Sequence, residues 1–312
     1  MKIVFLDTKT LGSDIDLNIL NKYGKLTLQD ITSKDETISR VKDANIIITN
    51  KVVIDKNVID NAPNLKLICV AATGMNNIDL EYASLKNIEV KNVTGYSTNS
   101  VVQHTFAMAF YLLEKLKYYD EYVKNGTWAE SKIFTNIDRS FFEIAGKTWG
   151  VIGLGEIGKK VALVASSFGS NVIYYSTSGK NDDKDFQRCS LENLLQTSDI
   201  ISIHAPLNEQ TKDLINKNNL IYLKKNAILL NLGRGGIINE KDLANFIDKS
   251  EILVGLDVLE KEPMIKDHPL LSISKQENLF ISPHIAWTSI EARKKLLDGI
   301  CQNIANFLRD HE

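Results

Sequence analysis

The 312 residues are 44% hydrophobic, enough to bury a sizeable core, and a length of about 150 residues per domain predicts two domains. A net charge of -2 and a pI near 6.3 give no general attraction to nucleic acid or to anionic membranes, so both are excluded as partners. Three widely spaced cysteines predict neither disulfides nor a bound metal, and the N-terminus lacks a signal-peptide pattern, so we expect a soluble cytoplasmic protein.

Short β-branched runs alternate with helix-length polar segments along the chain, which is typical of repeated βα units. The runs are apolar on both faces, as the strands of a covered parallel sheet are. In the first part of the chain they lie at 2–7, 45–50, 65–73 and 88–93, with helical periodicity at 16–24 and 78–87. This part therefore predicts an α/β domain.

A single long helix is predicted at 99–124, and a second α/β series follows it. The strands of this series are expected at 148–154, 171–176, 199–206, 227–233, 251–258 and 278–284. Six strands with intervening helices match a doubly wound dinucleotide-binding fold. The chain ends in another predicted helix, which opens with Thr288 and Glu291 at capping-box spacing. We expect this helix to return the chain to the first domain.

A glycine loop, "VIGLGEIG", occupies residues 151–158. It follows a predicted strand and opens a helix, the context that supports a dinucleotide-binding turn. The first glycine allows the tight turn, the second lets the backbone approach a pyrophosphate, and the third permits close helix packing. We expect the cofactor to contact Gly153, Gly155, Glu156, Ile157 and Gly158.

The end of the next strand departs from the usual NAD pattern. An NAD enzyme commonly has Asp or Glu about 20 residues after the glycine loop to bind the ribose 2′-hydroxyl. Here Ser176 stands at that place, and no carboxylate is left to repel a 2′-phosphate. Thr177, Ser178 and Lys180 follow it and offer hydrogen bonds or charge to such a phosphate. The sequence leaves NADH and NADPH both open.

Three stretches near predicted strand ends offer a cation, carboxylates and a histidine. They are "NLGRGG" with Arg234, "GLDVLEKEP" with Asp257 and Glu262, and "ISPHIAW" with His284. In an open α/β sheet such positions border the ligand crevice. Each has a plain structural explanation by itself, as a surface ion pair, a solvated acid or a packed histidine. Their ordered combination favours a site.

These motifs together resemble the D-isomer-specific 2-hydroxyacid dehydrogenases. The likeness is carried by the late glycine loop, "LLNLGRGG", "DVLEKEP", "HPL" at 268–270 and "PHIAW", and "AATGMNNID" resembles the D-glycerate dehydrogenase or hydroxypyruvate reductase branch. The resemblance implies a flavodoxin-like substrate domain of residues 1–98 plus 288–312. It also implies a Rossmann NAD(P)-binding domain of residues 99–287, with the active site in the cleft between the two domains.

The resemblance also implies roles for individual residues. Arg234 would hold the substrate's carboxylate and carbonyl, His284 would be the general acid and base, and Glu262 would be the partner of that histidine. Further contacts follow from the same likeness: cofactor contacts at Ala205, Leu232 and Asp257, and substrate contacts at Thr73 and Gly74. The implied reaction is reduction of a small 2-keto acid, favouring hydroxypyruvate and glyoxylate, to the D-2-hydroxy acid.

Two questions stay open at the level of sequence. Trp287 is expected to wall a small substrate pocket, with an apolar contact at the start of the last helix as the alternative. The transcriptional corepressors called C-terminal-binding proteins share the fold and the Arg, Glu and His set, so a dinucleotide-sensing regulatory protein is the alternative to an enzyme. The family resemblance implies a homodimer built on the cofactor-binding domains, and the predicted helix 99–124 carries more aromatic surface than one domain contact requires.

Overall fold

The computed structural model describes residues 1–311, which form two compact units. The first unit consists of Met1–Thr98 and the chain from Trp287 onward, and the second is Asn99–Ala286. Trp287 therefore belongs to the first unit, one residue earlier than the boundary drawn from the sequence, because it packs against that unit's core and edge-on to Tyr96. In the described residues no helix is long and apolar enough to cross a membrane.

The first unit contains a five-stranded parallel sheet. Its strands are β1 (Lys2–Phe5), β2 (Lys25–Leu28), β3 (Ile46–Thr49), β4 (Leu67–Val70) and β5 (Glu89–Lys91), in the spatial order β2-β1-β3-β4-β5. This is the flavodoxin-like order, with the point of reversal between β1 and β3. Strand β2 was not predicted, because it is a short edge strand whose residues are mostly exposed.

Short helices connect these strands. They are α1 (Lys34–Val41), α2 (Lys56–Asp60) and α3 (Leu80–Leu85). Helices α2 and α3 begin at Asp55 and Asp79, whose side chains accept a backbone N–H of the first turn, whereas at the start of α1 the Ser33 N–H and hydroxyl both donate to the Glu36 carboxylate. The predicted helix at 16–24 is a 3-10 helix, one of six in the described chain: Thr8–Leu11, Leu17–Tyr23, Thr127–Glu130, Leu220–Tyr222, Pro269–Leu271 and Gln276–Asn278.

The second unit begins with two helices where one long helix was predicted. Helix α4 (Thr98–Leu113) ends before Lys115, which has a left-handed φ of 54° and separates it from α5 (Leu116–Lys124). No glycine or proline marks this break. The single-helix prediction was therefore wrong, because a lysine adopts a backbone conformation that its type seldom adopts.

The second unit's described sheet has seven parallel strands, with three further helices. The strands, in chain order, are β6 (Thr148–Ile152), β7 (Asn171–Tyr175), β8 (Gln187–Arg188), β9 (Ile200–Ile203), β10 (Ile228–Asn231), β11 (Leu253–Leu256) and β12 (Leu279–Ile281). Three helices connect them: α6 (Glu156–Ser167), α7 (Leu191–Thr197) and α8 (Glu240–Ile247). Helix α4 packs its apolar residues against one face of the sheet. The spatial order is β12-β11-β10-β9-β6-β7-β8.

The last helix, α9 (Ile290–Asp310), completes the first unit. Its N-cap is Ser289, which accepts a hydrogen bond from the Ala292 N–H at 3.2 Å, and not Thr288 as the capping-box spacing suggested. The buried face of α9 covers the first sheet with Leu296, Ile300 and Ile304. Both units are therefore parallel sheets covered by helices, which confirms the doubly wound fold class.

Candidate functional site

The glycine turn between β6 and α6 has the geometry that a dinucleotide phosphate requires. Gly153 has a φ of 90°, and a Cβ atom there would lie 2.9 Å from the Cα of Ala205. A Cβ at Gly158 would collide with the carbonyl oxygen of Gly153. Gly155 is the N-cap of α6, and within residues 1–311 no atom lies inside 4 Å of a Cβ built on it. Packing thus requires glycine at 153 and 158. Gly155 leaves open space at the N-terminus of α6, so the turn fits a pyrophosphate.

Neighbouring strands bring the other sequence-predicted residues to the same edge of the sheet. Ala205 follows β9, and a Cβ at Gly233, after β10, would lie 2.7 Å from the Ala205 carbonyl oxygen. Leu232 is buried in this turn. Because all strands are parallel, the turns after β6, β9, β10, β11 and β12 share the carboxyl edge. That edge is where an open α/β sheet binds ligands.

His284 and Glu262 form a direct pair at this edge. The His284 Nδ1 lies 2.7 Å from Glu262 Oε2, and the two side chains are 25% and 32% exposed. The other carboxylate oxygen, Oε1, accepts the Leu259 N–H at 3.0 Å. An ionised carboxylate only accepts hydrogen bonds, so Nδ1 is the donor in this pair. The second ring nitrogen, Nε2, is then the one that can exchange a proton with a ligand.

The turn that carries His284 is held in an uncommon backbone conformation. His284 has a φ of 55°, and its N–H donates to the carbonyl oxygens of Asp257 and Ser282, both at 2.9 Å. A non-glycine residue in this region costs about 1–2 kcal/mol and persists where the surroundings fix it. The Asp257 carboxylate provides that fixing, since it accepts the Ile285 N–H at 2.9 Å and the Ala286 N–H at 3.0 Å.

Two residues that the sequence did not single out support Asp257. The Ser282 hydroxyl donates to Asp257 Oδ1 at 2.6 Å, and it lies 3.0 Å from the Nε2 of His104 on α4. Since the hydroxyl proton is used on Asp257, His104 is the donor to Ser282. His104 lies far from Asp257 in sequence, and no local pattern signals this contact. The structure gives the Asp257 carboxylate a part in building the His284 turn, while its predicted contact with the cofactor stays a prediction.

Arg234 lies in the turn after β10 and is half-buried. Its guanidinium donates to the Gly233 carbonyl oxygen at 2.8 Å, and Asn231 holds the turn through the Gly233 N–H and the Arg234 carbonyl. In residues 1–311 no carboxylate lies within ion-pair distance of Arg234, and no hydrogen bond joins it to His284 or Glu262. The positive charge is therefore available to an anionic ligand.

The turn after β7 is held by polar contacts around Ser176. This side chain is buried, and its hydroxyl accepts the Asn181 N–H at 3.3 Å. Arg188, on the short strand β8, donates to the Asn181 carbonyl at 3.3 Å. Arg188 was missed by sequence reasoning because it approaches the turn from the next strand of the sheet. Thr177, Ser178 and Lys180 lie within the same turn.

Buried titratable groups flank both sheets. Burial lowers the pKa of His204, directly before Ala205, to about 3; within the described chain neither of its ring nitrogens has a hydrogen-bond partner. In the first unit, burial raises the pKa of Asp7 at the end of β1, although the N–H groups of Lys51 and Asn50 act in the opposite direction. Asp7 thereby fixes the turn after β3.

The remaining predicted substrate residues belong to the first unit. The Thr73 hydroxyl donates to the Val93 carbonyl at 3.1 Å, and Gly74 follows it in the turn after β4. Trp287 is partly buried; it lies edge-on to Tyr96 with ring centroids 6.2 Å apart and packs against the apolar core. This contact is consistent with the alternative interpretation of Trp287 as an apolar contact. The substrate contacts of Thr73, Gly74 and Trp287 stay predictions.

Comparison with known proteins shows the family. Residues 106–286 match the NAD-binding domain of the D-isomer specific 2-hydroxyacid dehydrogenases. The chain is 35% identical to a hydroxypyruvate reductase of Blautia hydrogenotrophica, over 99% of this chain and 97% of that protein. It is 34% identical to a glycerate dehydrogenase of Methylorubrum extorquens, over 98% of this chain and 96% of that protein.

A solved structure gives the same result at the level of the fold. An acyclic imino acid reductase in complex with NADPH and D-Arg superposes with a TM-score of 0.87 at 30% identity, covering 99% of this chain and 97% of that one. The chain belongs to the D-isomer-specific 2-hydroxyacid dehydrogenase family. It is an oxidoreductase of the glycerate dehydrogenase branch with a nicotinamide-dinucleotide-binding domain.

Proposed function

We propose that the protein reduces a small 2-keto acid, with hydroxypyruvate and glyoxylate as favoured substrates, to the D-2-hydroxy acid. The observation that carries the proposal is the 2.7 Å contact between His284 Nδ1 and Glu262 Oε2 at the carboxyl edge that also bears the glycine turn. The names of the hydroxypyruvate reductase and glycerate dehydrogenase relatives support this substrate class.

Arg234, His284 and Glu262 have separate roles in this reaction. Arg234 binds the substrate carboxylate with its planar guanidinium and so orients the carbonyl. The turn of Gly153 and Gly155 would hold a reduced nicotinamide dinucleotide, which would supply a hydride to the carbonyl carbon. His284 donates the proton from Nε2 to the carbonyl oxygen, and Glu262 keeps Nδ1 protonated and stabilises the imidazolium before transfer. In the oxidative direction His284 takes the proton back.

The cofactor is NADH or NADPH, with little discrimination between them. Ser176 leaves no carboxylate at the position that repels a 2′-phosphate, and Arg188 brings a guanidinium to the same turn. The NADPH complex of the imino acid reductase relative supports the second cofactor. Ser176→Asp should weaken NADPH binding at least about tenfold while NADH binding is retained, since the new carboxylate would repel the 2′-phosphate. Fluorescence titration with both dinucleotides measures the ratio, and equal weakening of both would contradict this assignment.

The protein acts as a homodimer. The segment after α5 carries large apolar side chains that are strongly exposed in the single chain, including Phe134 at 89%, Ile137 at 78% and Phe141 at 56%. Exposed apolar patches of this kind mark protein interfaces. Sedimentation at micromolar concentration should show twice the 35.0 kDa chain mass, and Phe134→Asp should shift the protein toward the monomer.

The test of function is the rate of dinucleotide oxidation with hydroxypyruvate, glyoxylate and pyruvate, each with NADH and NADPH. His284→Ala should abolish the turnover, whereas His311→Ala, an exposed histidine at the end of α9, serves as the matched control and should leave it unchanged. Tight dinucleotide binding without turnover of any keto acid would instead favour the dinucleotide-sensing alternative.

A further inference from the structure

A second Glu–His pair, Glu240 and His268, is buried in the second unit. The Nε2 of His268 is 2.8 Å from Glu240 Oε2, and the two side chains are only 7% and 9% exposed. Glu240 Oε1 accepts the Glu260 N–H at 2.6 Å. Nothing in the sequence analysis assigned Glu240 a role, and His268 entered only through the motif "HPL".

The hydrogen bonds fix the protonation of this pair. His268 Nδ1 accepts the Leu270 N–H at 3.3 Å, so the proton of the ring is on Nε2 and is donated to Glu240. Glu240 receives two donors and offers none, which requires the ionised carboxylate. Glu240 is also the first residue of α8, where the positive end of the helix dipole favours a negative charge. The buried pair is therefore an anion with a neutral histidine.

The buried pair and the His284–Glu262 pair are joined through two adjacent peptide groups. The Leu259 N–H is held by Glu262 and the Glu260 N–H by Glu240. On the other side this backbone presses against Gly235, where a Cβ atom would collide with the carbonyl group of Leu259. The two peptides between the pairs are thus clamped between a buried carboxylate and the turn that carries Arg234.

We propose that Glu240 and His268 are positioning residues, which hold the Leu259–Glu260 backbone so that Glu262 points at His284. This inference rests on the proposed function, because the step that it serves is proton donation by His284. Without the buried carboxylate, the Glu260 N–H loses its acceptor and the segment that leads to Glu262 gains freedom.

The first experiment is a double-mutant cycle. Glu240→Gln keeps the side chain's shape but turns one acceptor into a donor, which must face either the Glu260 N–H or His268. We expect kcat with hydroxypyruvate to fall about tenfold to a hundredfold, with KM and dinucleotide affinity nearly unchanged. In the Glu262→Gln background the same change should give no further loss. Losses that multiply would overturn the inference, and Glu192→Gln on the exposed face of α7 is the control.

His268 provides a second series if Glu240→Gln does not fold. His268→Gln retains an N–H that can donate to Glu240 and should keep most of the activity, whereas His268→Leu removes the donor and should lose as much as Glu240→Gln. Equal activity of the Gln and Leu variants would overturn the inference.

A spectroscopic readout separates this inference from the proposed function. The chain has five histidines, so ¹⁵N-histidine NMR can resolve the His284 Nδ1–H signal. We expect that signal to shift in Glu240→Gln and to stay in place in Glu192→Gln, whatever substrate the wild-type protein accepts. A signal unchanged by Glu240→Gln would overturn the inference. A shifted signal in a protein that reduces no keto acid would retain the positioning and reject only the proposed reaction.

Discussion

The two Glu–His pairs have the same chemical groups at similar distances, 2.7 Å and 2.8 Å, but opposite surroundings. His284 is a quarter exposed, and its Nδ1 faces the carboxylate, which leaves Nε2 to exchange protons. His268 is buried, presents Nε2 to its carboxylate, and uses Nδ1 to accept a backbone N–H. Contact with a carboxylate therefore does not by itself make a histidine reactive. The use of the second ring nitrogen and its access to solvent decide between proton transfer and support.

The largest expected effect comes from removing the carboxylate of the exposed pair. In Glu262→Gln the amide can satisfy the Leu259 N–H with its oxygen, but its NH₂ group then faces His284 Nδ1 and favours the wrong tautomer. We expect kcat to fall about 10²-fold to 10⁴-fold, as for other histidines deprived of an orienting carboxylate. Steady-state kinetics measures this, with Glu192→Gln as control. A variant that keeps more than about a tenth of wild-type kcat would show that the pair has no part in proton transfer.

Asp257→Asn tests the turn that presents the exposed pair. Asparagine has one acceptor oxygen for three donors, Ser282, Ile285 and Ala286, so at least one buried N–H or O–H loses its partner. We expect the free energy of unfolding to fall by about 2–3 kcal/mol, together with a loss of kcat. Urea denaturation gives the first quantity, and the exposed Asp185→Asn is the control. An unchanged unfolding midpoint would mean that Asp257 does not hold the turn.

Gly235→Ala acts on the backbone that joins the two pairs. The added methyl group meets the backbone of Leu259 and Glu260, so we expect about 1–3 kcal/mol of destabilisation and a fall in kcat. The control is Gly126→Ala, where within residues 1–311 no atom lies inside 4 Å of a built Cβ but φ is 87°. That variant should lose stability through backbone strain alone and keep kcat. If Gly235→Ala retains full activity as Gly126→Ala does, the backbone contact at Gly235 does not affect the position of Glu262.

His204 extends the comparison to a histidine whose ring nitrogens are buried and have no hydrogen-bond partner within residues 1–311. Its pKa is lowered to about 3 by burial, below the usual unfolded value of about 6.5. Below about pH 6.5 the unfolded chain takes up a proton that the folded chain does not, so stability falls with pH by up to about 1.4 kcal/mol per unit. His204→Asn should reduce this acid loss, measured as the change in unfolding free energy between about pH 7 and pH 5. An identical loss in both proteins would contradict the assignment.

Much of the architecture follows from local pattern. The buried strands are runs of Val, Ile and Leu, and the glycine spacing at 153, 155 and 158 reflects steric needs that the structure displays. The exceptions are short edges and unusual backbone: β2, β8 and the break at Lys115. Edge strands bury little and so carry little hydrophobic signal.

The site divides in the same way. Arg234, Glu262 and His284 were predicted as site residues because they lie in ordered motifs at strand ends, and their catalytic roles stay predictions. His104, Ser282, Glu240 and His268 were not, since their roles depend on hydrogen bonds between segments distant in sequence. A residue pattern reports the chemistry of a side chain, whereas its tautomer and partner are set by tertiary packing.

The most direct measurement of the central claim is kcat for keto acid reduction in the wild-type protein, in His284→Ala and in Glu262→Gln. Because His284 donates the proton and Glu262 orients it, kcat should fall at least about 10²-fold in both variants, while dinucleotide affinity measured by fluorescence titration is retained. More than about a tenth of wild-type kcat in either variant would contradict the assignment of His284 and Glu262 as the proton-donating pair.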